Sequence, residues 1–427
     1  MTSFTPVQQM IFDLSERIVK AQQPIRILDA IKWDINIKNE FFKHKFRKLP
    51  EVDQAYYERN PLGFDPEKKI DEFYIIEHEI KRDLGKYGAA STLMQNRCRE
   101  YRDAVQLLQA RGTHQFSEIA QDLYGSSQDA FYPGAPTLKD LSQLVNSVLI
   151  NIGNQTLDKK DENIYTADDA VNILTRRLSN YFGADCKVQV KTSDTIISDA
   201  SAGADTIKLR SDAKFSERVI RLYEVHEGWV HLGTTFNGLL QPICTFLSKG
   251  PPSSTLTQEG LGMLTEIFSF SSYPDRVKRL TNRIIAINMA EEGANFIEVF
   301  NFFREQGLNE EESYYYTVRV FRGSTPTQGP FTKDLAYSKG FILAYNYIRL
   351  CIQRGNLKNV PLLFAGKTAL KEIHLLAELL DDDTLKYPKY IPKVFGDLAA
   401  VSAWTGYSLF LNRVNVNELA KDFRDIL

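Results

Sequence analysis

Periodicity along the chain predicts an α+β fold that is mostly α-helical, with one small antiparallel sheet. Apolar residues recur at three-four spacing through most of its 427 residues. Strand-type alternation is confined to the stretch between Lys187 and Arg210. Helices and strands alternate too sparsely for a doubly wound sheet.

The elements follow in order. Segments 6–22, 66–85, 89–111 and 115–124 are helical, with Lys, Arg and Glu between the apolar positions. The basic, aromatic run from Phe41 to Lys48 reads as a solvated amphipathic helix, although it also suits an acidic partner. Tyr132-Pro133-Gly134-Ala135-Pro136 breaks the pattern and divides a helical N-terminal region, 1–130, from a second region, 137–427. Helices are expected at 138–151 and 166–182, the second capped by Thr166 with Asp168 and Asp169 in its first turn and stopped by Gly183. Lys187–Lys191 and Asp205–Arg210 alternate as strands; between them lie Thr195-Ile196-Ile197-Ser198 and the turn Ser201-Ala202-Gly203-Ala204. Helices resume at 258–270, 275–290, 291–306, 309–321, 334–354, 366–381, 395–411 and 416–426.

Composition narrows the function. Hydrophobic residues are 43% and charged residues 25%, ordinary for a soluble globular protein. A net charge of −2 makes no broad case for nucleic acid or an anionic membrane. No stretch approaches eighteen apolar residues, so no membrane span is expected. The first thirty residues hold Asp13, Glu16, Arg17 and Lys20 and lack a signal-peptide core. The four cysteines (Cys98, Cys186, Cys244 and Cys351) form no C-x-x-C pair and read as reduced thiols of a cytoplasmic protein.

Chemistry concentrates at His226-Glu227-Gly228-Trp229-Val230-His231. Ser216 caps a helix there, Phe215 and Ile220 have hydrophobic-staple spacing, and Gly233 is the expected stop. Two imidazoles and a carboxylate are the material of a zinc site with its own general base. The familiar zinc-peptidase motif spaces its histidines four apart; these are five apart and diverge by about 140° in a regular helix. Sharing one ion requires a π-bulge or local unwinding, which Gly228 tolerates. A third ligand is needed. Glu259 is one candidate, in a helix that Thr257 caps; Glu266, seven residues on, is a ligand or an orienting group instead. The same residues also read as helix-end histidines that merely hydrogen-bond, and as a carboxylate that favours the helix dipole. His44, His78, His114 and His374 sit in charged contexts and read as surface residues.

The motif His226–Thr234, together with Thr257-Gln258-Glu259-Gly260-Leu261, resembles the flavohemoglobin expression-modulating QEGLA-motif proteins. These are similar to the eukaryotic microtubule-associated tyrosine carboxypeptidases. Agreement continues in Asn237-Gly238, Gln241-Pro242, Arg319-Val320-Phe321-Arg322-Gly323 and the block Gly329–Tyr337, within roughly 140–350. The resemblance implies a zinc-metallopeptidase-like core, with His226, His231 and Glu259 as Zn²⁺ ligands and Glu227 as the catalytic base. Gly262 stands where the name-giving pattern has alanine, one methyl that is expected to spare the metal.

The implied activity is hydrolysis at a peptide or protein C-terminus, with no nucleic-acid or membrane partner. The competing reading is a zinc-containing regulatory or binding protein without turnover. A carboxypeptidase needs a cation for the terminal carboxylate and a donor for the oxyanion. Arg319, Arg322, Lys333 and Tyr337 are the candidates: Arg322 and Lys333 for the carboxylate, Tyr337 for the oxyanion. Arg and Lys beside Gly and Pro also read as solvated loop residues. A peptide can add to the edge of the strand Asp205–Arg210, and the apolar loop Leu239–Leu256 can wall the pocket. From Tyr314, Tyr315 and Tyr316 no substrate inference follows.

Overall fold

A computed structural model describes residues 4–422, apart from 87, 154–162, 195, 197 and 204. Helices dominate and a single three-stranded sheet accompanies them among the described residues. The predicted Thr195–Ser198 and Ser201–Ala204 segments fall partly outside the described residues, as does the end of the predicted helix 416–426. No described helix is long and apolar enough to cross a membrane.

Helices Pro6–Gln22, Pro66–Leu84 and Ala89–Gln109 pack together. Their apolar faces enter one core with Val230, Leu261, Leu264 and Ile348, so this core continues across the sequence break at 132–136. A second core is aromatic. Phe41 lies edge-on against Phe296 and Phe300, at 5.2 Å from each, with Phe42 and Phe46 beside it. The basic run is helical only to Lys43, the end of helix Ile35–Lys43, and continues as a turn: its rings turn inward while Lys43, His44 and Lys45 stay exposed.

The sheet is mixed, not antiparallel throughout. Strand β1 (Gln189–Ser193) pairs in parallel with β3 (Thr206–Arg210), and β2 (Ala200–Ala202) pairs antiparallel with β3. The order is β1-β3-β2. Ile207 and Leu209, both fully buried, explain why β3 takes the centre while the more exposed β1 lies at an edge. Because β3 is paired on both sides, a peptide has no free edge there; the open edges belong to β1 and β2, and of these β2 lines the large cleft.

Several ends differ from the periodicity reading. Thr166 and Asp169 form the expected capping box and Gly183, at φ +70°, stops that helix. Gly233 does not stop its helix, which runs on to Leu239 because Gly233–Gly238 remain buried. The helix carrying Glu259 begins at Ser254, not at Thr257, and Glu100 takes over its capping: Ser253 donates N–H and Oγ–H to it, both at 2.8 Å. The predicted helix at 366–381 begins only at Ile373, after a short 3₁₀ turn at Leu370–Glu372. That difference leaves residues 366–369 as loop, and the loop reaches the candidate site.

Candidate metal centre

Ser216 caps the motif helix by accepting a hydrogen bond from the Val219 N–H, and α-helix follows over Glu217–Tyr223. Glu224–Leu232 is then π-helical, and α-helix returns over Gly233–Leu239. Hydrogen bonds spanning five residues place positions five apart above one another, which a regular α-helix does not. His226 and His231 therefore meet, with ring centroids 4.7 Å apart and planes at 85°. Gly228 has a packing reason as well: a Cβ there would lie 2.3 Å from Leu178 Cδ2.

Helix Ser254–Phe268 crosses beneath the π segment and supplies Glu259. Its Oε2 is 3.3 Å from His226 Nε2 and 3.5 Å from His231 Nε2. The three ligand atoms all lie within 4.8 Å of one another. Zinc bonds of roughly 2.0–2.2 Å at tetrahedral angles separate ligand atoms by about 3.3–3.5 Å. The spacing and the donor set both fit. Burial opposes charge on His226, yet hydrogen bonds to Glu259 and Glu266 outweigh it and raise the imidazole to about 10. The carboxylates thus create a place that favours a cation.

Glu266 contacts the other face of the ring system, 2.6 Å from His226 Nδ1. Arg276 donates to both Glu266 oxygens, at 3.0 and 3.3 Å. Burial pushes the Glu266 carboxyl up, but Arg276 and His226 prevail and hold it down at about 2. An anion at Nδ1 keeps the proton there and leaves Nε2 to face the ligand position. Of the two alternatives for Glu266, the geometry matches the orienting group.

Gly262 lies directly against that ring. A Cβ at 262 would lie 2.4 Å from His226 Cε1 and 2.5 Å from Nδ1. The methyl absent from this chain is therefore not remote from the metal. Gly262→Ala is expected to displace the ring and weaken zinc binding about 10-fold or more, given an overpacking cost of roughly 1–3 kcal/mol. Competition with a chromophoric chelator measures this; unchanged affinity would mean that the ring has slack.

Glu227 points to the β2 edge, where its Oε2 accepts the Ala202 N–H at 3.0 Å. It shares with His226, His231 and Glu259 a cleft of about 2260 Å³. The candidates from the 319–337 block line the same cleft. They are not solvated loop residues: Arg322 is buried, Arg319 has only 12% of its side chain exposed, and Lys333 Nζ reaches Glu259 Oε1 at 3.4 Å. Tyr337 stacks at 6.1 Å from the His226 ring. Arg319, however, is engaged in a two-pronged bond to Asp334, at 2.7 and 2.8 Å. Arg322 Nε has no hydrogen-bond partner among the described residues. Burial, with Arg319 close by, pulls its guanidinium down to about 10.

Sequence reasoning missed four cationic side chains here: Arg276, Arg279, Arg283 and Lys367. Arg276, Arg279 and Arg283 lie on helix Pro274–Glu291 and all line the cleft. Their i, i+3, i+7 spacing, one helical face, was the available signal. Arg283 sits 5.1 Å from the Tyr316 ring and 5.2 Å from that of Tyr337; its Nε pairs with Asp334 at 3.8 Å, and Nη1 has no hydrogen-bond partner among the described residues. Lys367, from the loop before Ile373, donates to the His231 carbonyl and to Gln258 Oε1, both at 2.8 Å. Of the tyrosine run, Tyr314 is buried in the aromatic core, whereas Tyr315 and Tyr316 face the cleft. From the loop 239–256, Ser248, Lys249 and Gly250 line the wall, while Phe246 and Leu247 are core. The other four histidines are exposed.

A model of the microtubule-associated tyrosine carboxypeptidase family matches residues 39–413. No individual curated protein matches the chain. The matched span includes the whole cleft around the His–His–Glu group except its N-terminal rim. This chain belongs to the microtubule-associated tyrosine carboxypeptidase family and is a metallo-carboxypeptidase with a candidate metal site at His226, His231 and Glu259.

Proposed function

We propose that the chain is a zinc enzyme that removes the C-terminal residue, tyrosine by preference, from an acidic protein tail. One observation carries this reading: the His–His–Glu group opens, beside Glu227, into a cleft rich in cations. Lysines and arginines outnumber carboxylates along the cleft, although the whole chain carries a net charge of −2. Such a wall attracts an acidic peptide. The preference for tyrosine rests on the family description.

Held by His226, His231 and Glu259, zinc would supply a Lewis acid that makes water nucleophilic near neutral pH and polarises a carbonyl. Glu227 takes a proton from the attacking water at Oε1 and returns it to the leaving amine. Tyr337 serves as hydrogen-bond donor to the developing oxyanion; burial, with Glu259 nearby, raises its phenol, so it keeps its proton at neutral pH. Arg322 and Lys333 hold the terminal carboxylate, and Arg283, whose Nη1 has no hydrogen-bond partner among the described residues, joins them. Arg319 and Asp334 brace that wall. The backbone edge of β2 is the platform along which the peptide lies.

Acidic peptides ending in Tyr, Phe, Leu or Lys, each as free acid and as C-terminal amide, test the reading on zinc-loaded protein. Release of the last residue is expected from free acids, fastest for Tyr, with the amides slower by about 10²-fold or more because a charge-paired hydrogen bond is lost. Equal rates on acids and amides would overturn the carboxypeptidase assignment. Cleavage indifferent to the last residue would overturn the tyrosine preference.

A further inference from the structure

Two ligands of the candidate metal site sit on different helices, and a hydrogen-bonded latch joins them. A π segment changes the hydrogen-bond register of a helix, so carbonyls at its end need donors from elsewhere. At the end of Glu224–Leu232, two side chains donate to the His231 carbonyl: Thr235 Oγ1 at 2.9 Å and Lys367 Nζ at 2.8 Å. The Lys367 amine also donates to Gln258 Oε1, which accepts Thr234 Oγ1–H at 2.7 Å. Gln258 immediately precedes Glu259.

The lysine is itself held from both sides. Its N–H donates to the Leu247 carbonyl at 2.7 Å, and its carbonyl accepts from Arg97 Nη2 at 2.9 Å. Arg97, fully buried on helix Ala89–Gln109, pairs with Glu372 at 3.4 Å. Behind the lysine, Gly366 leaves no room for a side chain, since a Cβ would lie 2.7 Å from Leu247 O. The loop therefore delivers one amine to one place.

We propose that Lys367 is a positioning residue: it fastens the His231 backbone to the Glu259 helix and thereby sets the separation of those two ligands. This rests on the metal-site reading and goes beyond it, because the amine acts through the ligands and not on the substrate. One amine donating to a carbonyl of the distorted helix and to the side chain next to the third ligand resists sliding of either helix. The N-terminal helices reach the site through Arg97 and this same loop.

Lys367→Met keeps the stem and removes the amine. It is expected to weaken zinc binding roughly 10- to 100-fold, the usual effect of losing a partner outside the ligand set. The visible absorption of the cobalt-substituted protein should shift, and kcat should fall with KM little changed. An unchanged cobalt spectrum and unchanged zinc affinity in folded protein would overturn the proposal. So would a rise in KM alone, which marks a substrate contact. Gln258→Met cuts the latch at its other end and must give the same spectral shift; it decides the matter if Lys367→Met does not fold. Unaltered protein binding about one zinc per chain is the control; without it the metal reading fails, whatever the latch does.

Discussion

Glu227→Gln is expected to keep its metal and lose peptide cleavage. The amide oxygen can still accept the Ala202 N–H that the carboxylate accepts at 3.0 Å, so the side chain stays in place. It cannot accept a proton from the attacking water. General-base catalysis is worth about 10²- to 10⁴-fold, and kcat should fall by that amount. Glu227 lies outside the three-residue ligand group, so zinc content measured by mass spectrometry should remain that of the unaltered chain. Cleavage at the original rate would remove Glu227 from the chemistry. Loss of zinc would make it a ligand instead.

The second large effect is expected from His226→Ala, which strikes both metal and fold. Zinc affinity should fall by more than about 100-fold, beyond what an outer partner contributes. Stability should also drop, measured by denaturant unfolding with chelator present so that metal linkage does not enter. His226 is 2% exposed and contacts Glu266 at 2.6 Å and Glu259 at 3.3 Å. Breaking a buried pair costs about 3–5 kcal/mol when the surviving charge is left alone. Here Glu266 retains Arg276 and Glu259 retains Lys333, so the lower end of that range is expected. Wild-type zinc content in the variant would exclude His226 as a ligand.

The histidine pair illustrates how far spacing alone can reach. Five-residue separation required a helix that departs from α geometry, and Glu224–Leu232 is π-helical. Gly228 pointed the same way, although its closest reason is Leu178, a residue that no local pattern connects to it. Glu259 stood out because of the residues around it, and Glu266 because seven residues make about two turns of one helix. The helix ends were less legible. Gly233 reads as a stop, yet burial of the next turn carries the helix through it. Thr257 reads as a cap, but the cap function sits with Glu100 from another helix.

Alternation identified β1 and β3 but not β2, whose Ser201 and Ala202 read as a small-residue turn, and it did not identify the strands' neighbours. It gives each side chain a face, whereas pairing depends on where the connections travel. The result was a sheet expected to be antiparallel that turned out mixed, with Asp205–Arg210 at its centre and β2 as the edge that lines the cleft.

By itself, the order of residues determined the helical class and the imidazole pair with its neighbouring carboxylate. Both follow from contacts within one or two helical turns, where geometry repeats from protein to protein. The acidic third member, on another helix, was singled out from Glu266 only by the family resemblance. Only tertiary packing decided that Arg276 and Arg283 would face the metal group, that a Cβ at 262 would strike an imidazole, and that Lys367 would reach the His231 carbonyl from 136 positions away. Such meetings depend on how whole helices stack and on loops that periodicity mistakes for helix. Nothing in the local chain encodes them, because burial of distant apolar faces, rather than local propensity, brings those groups together.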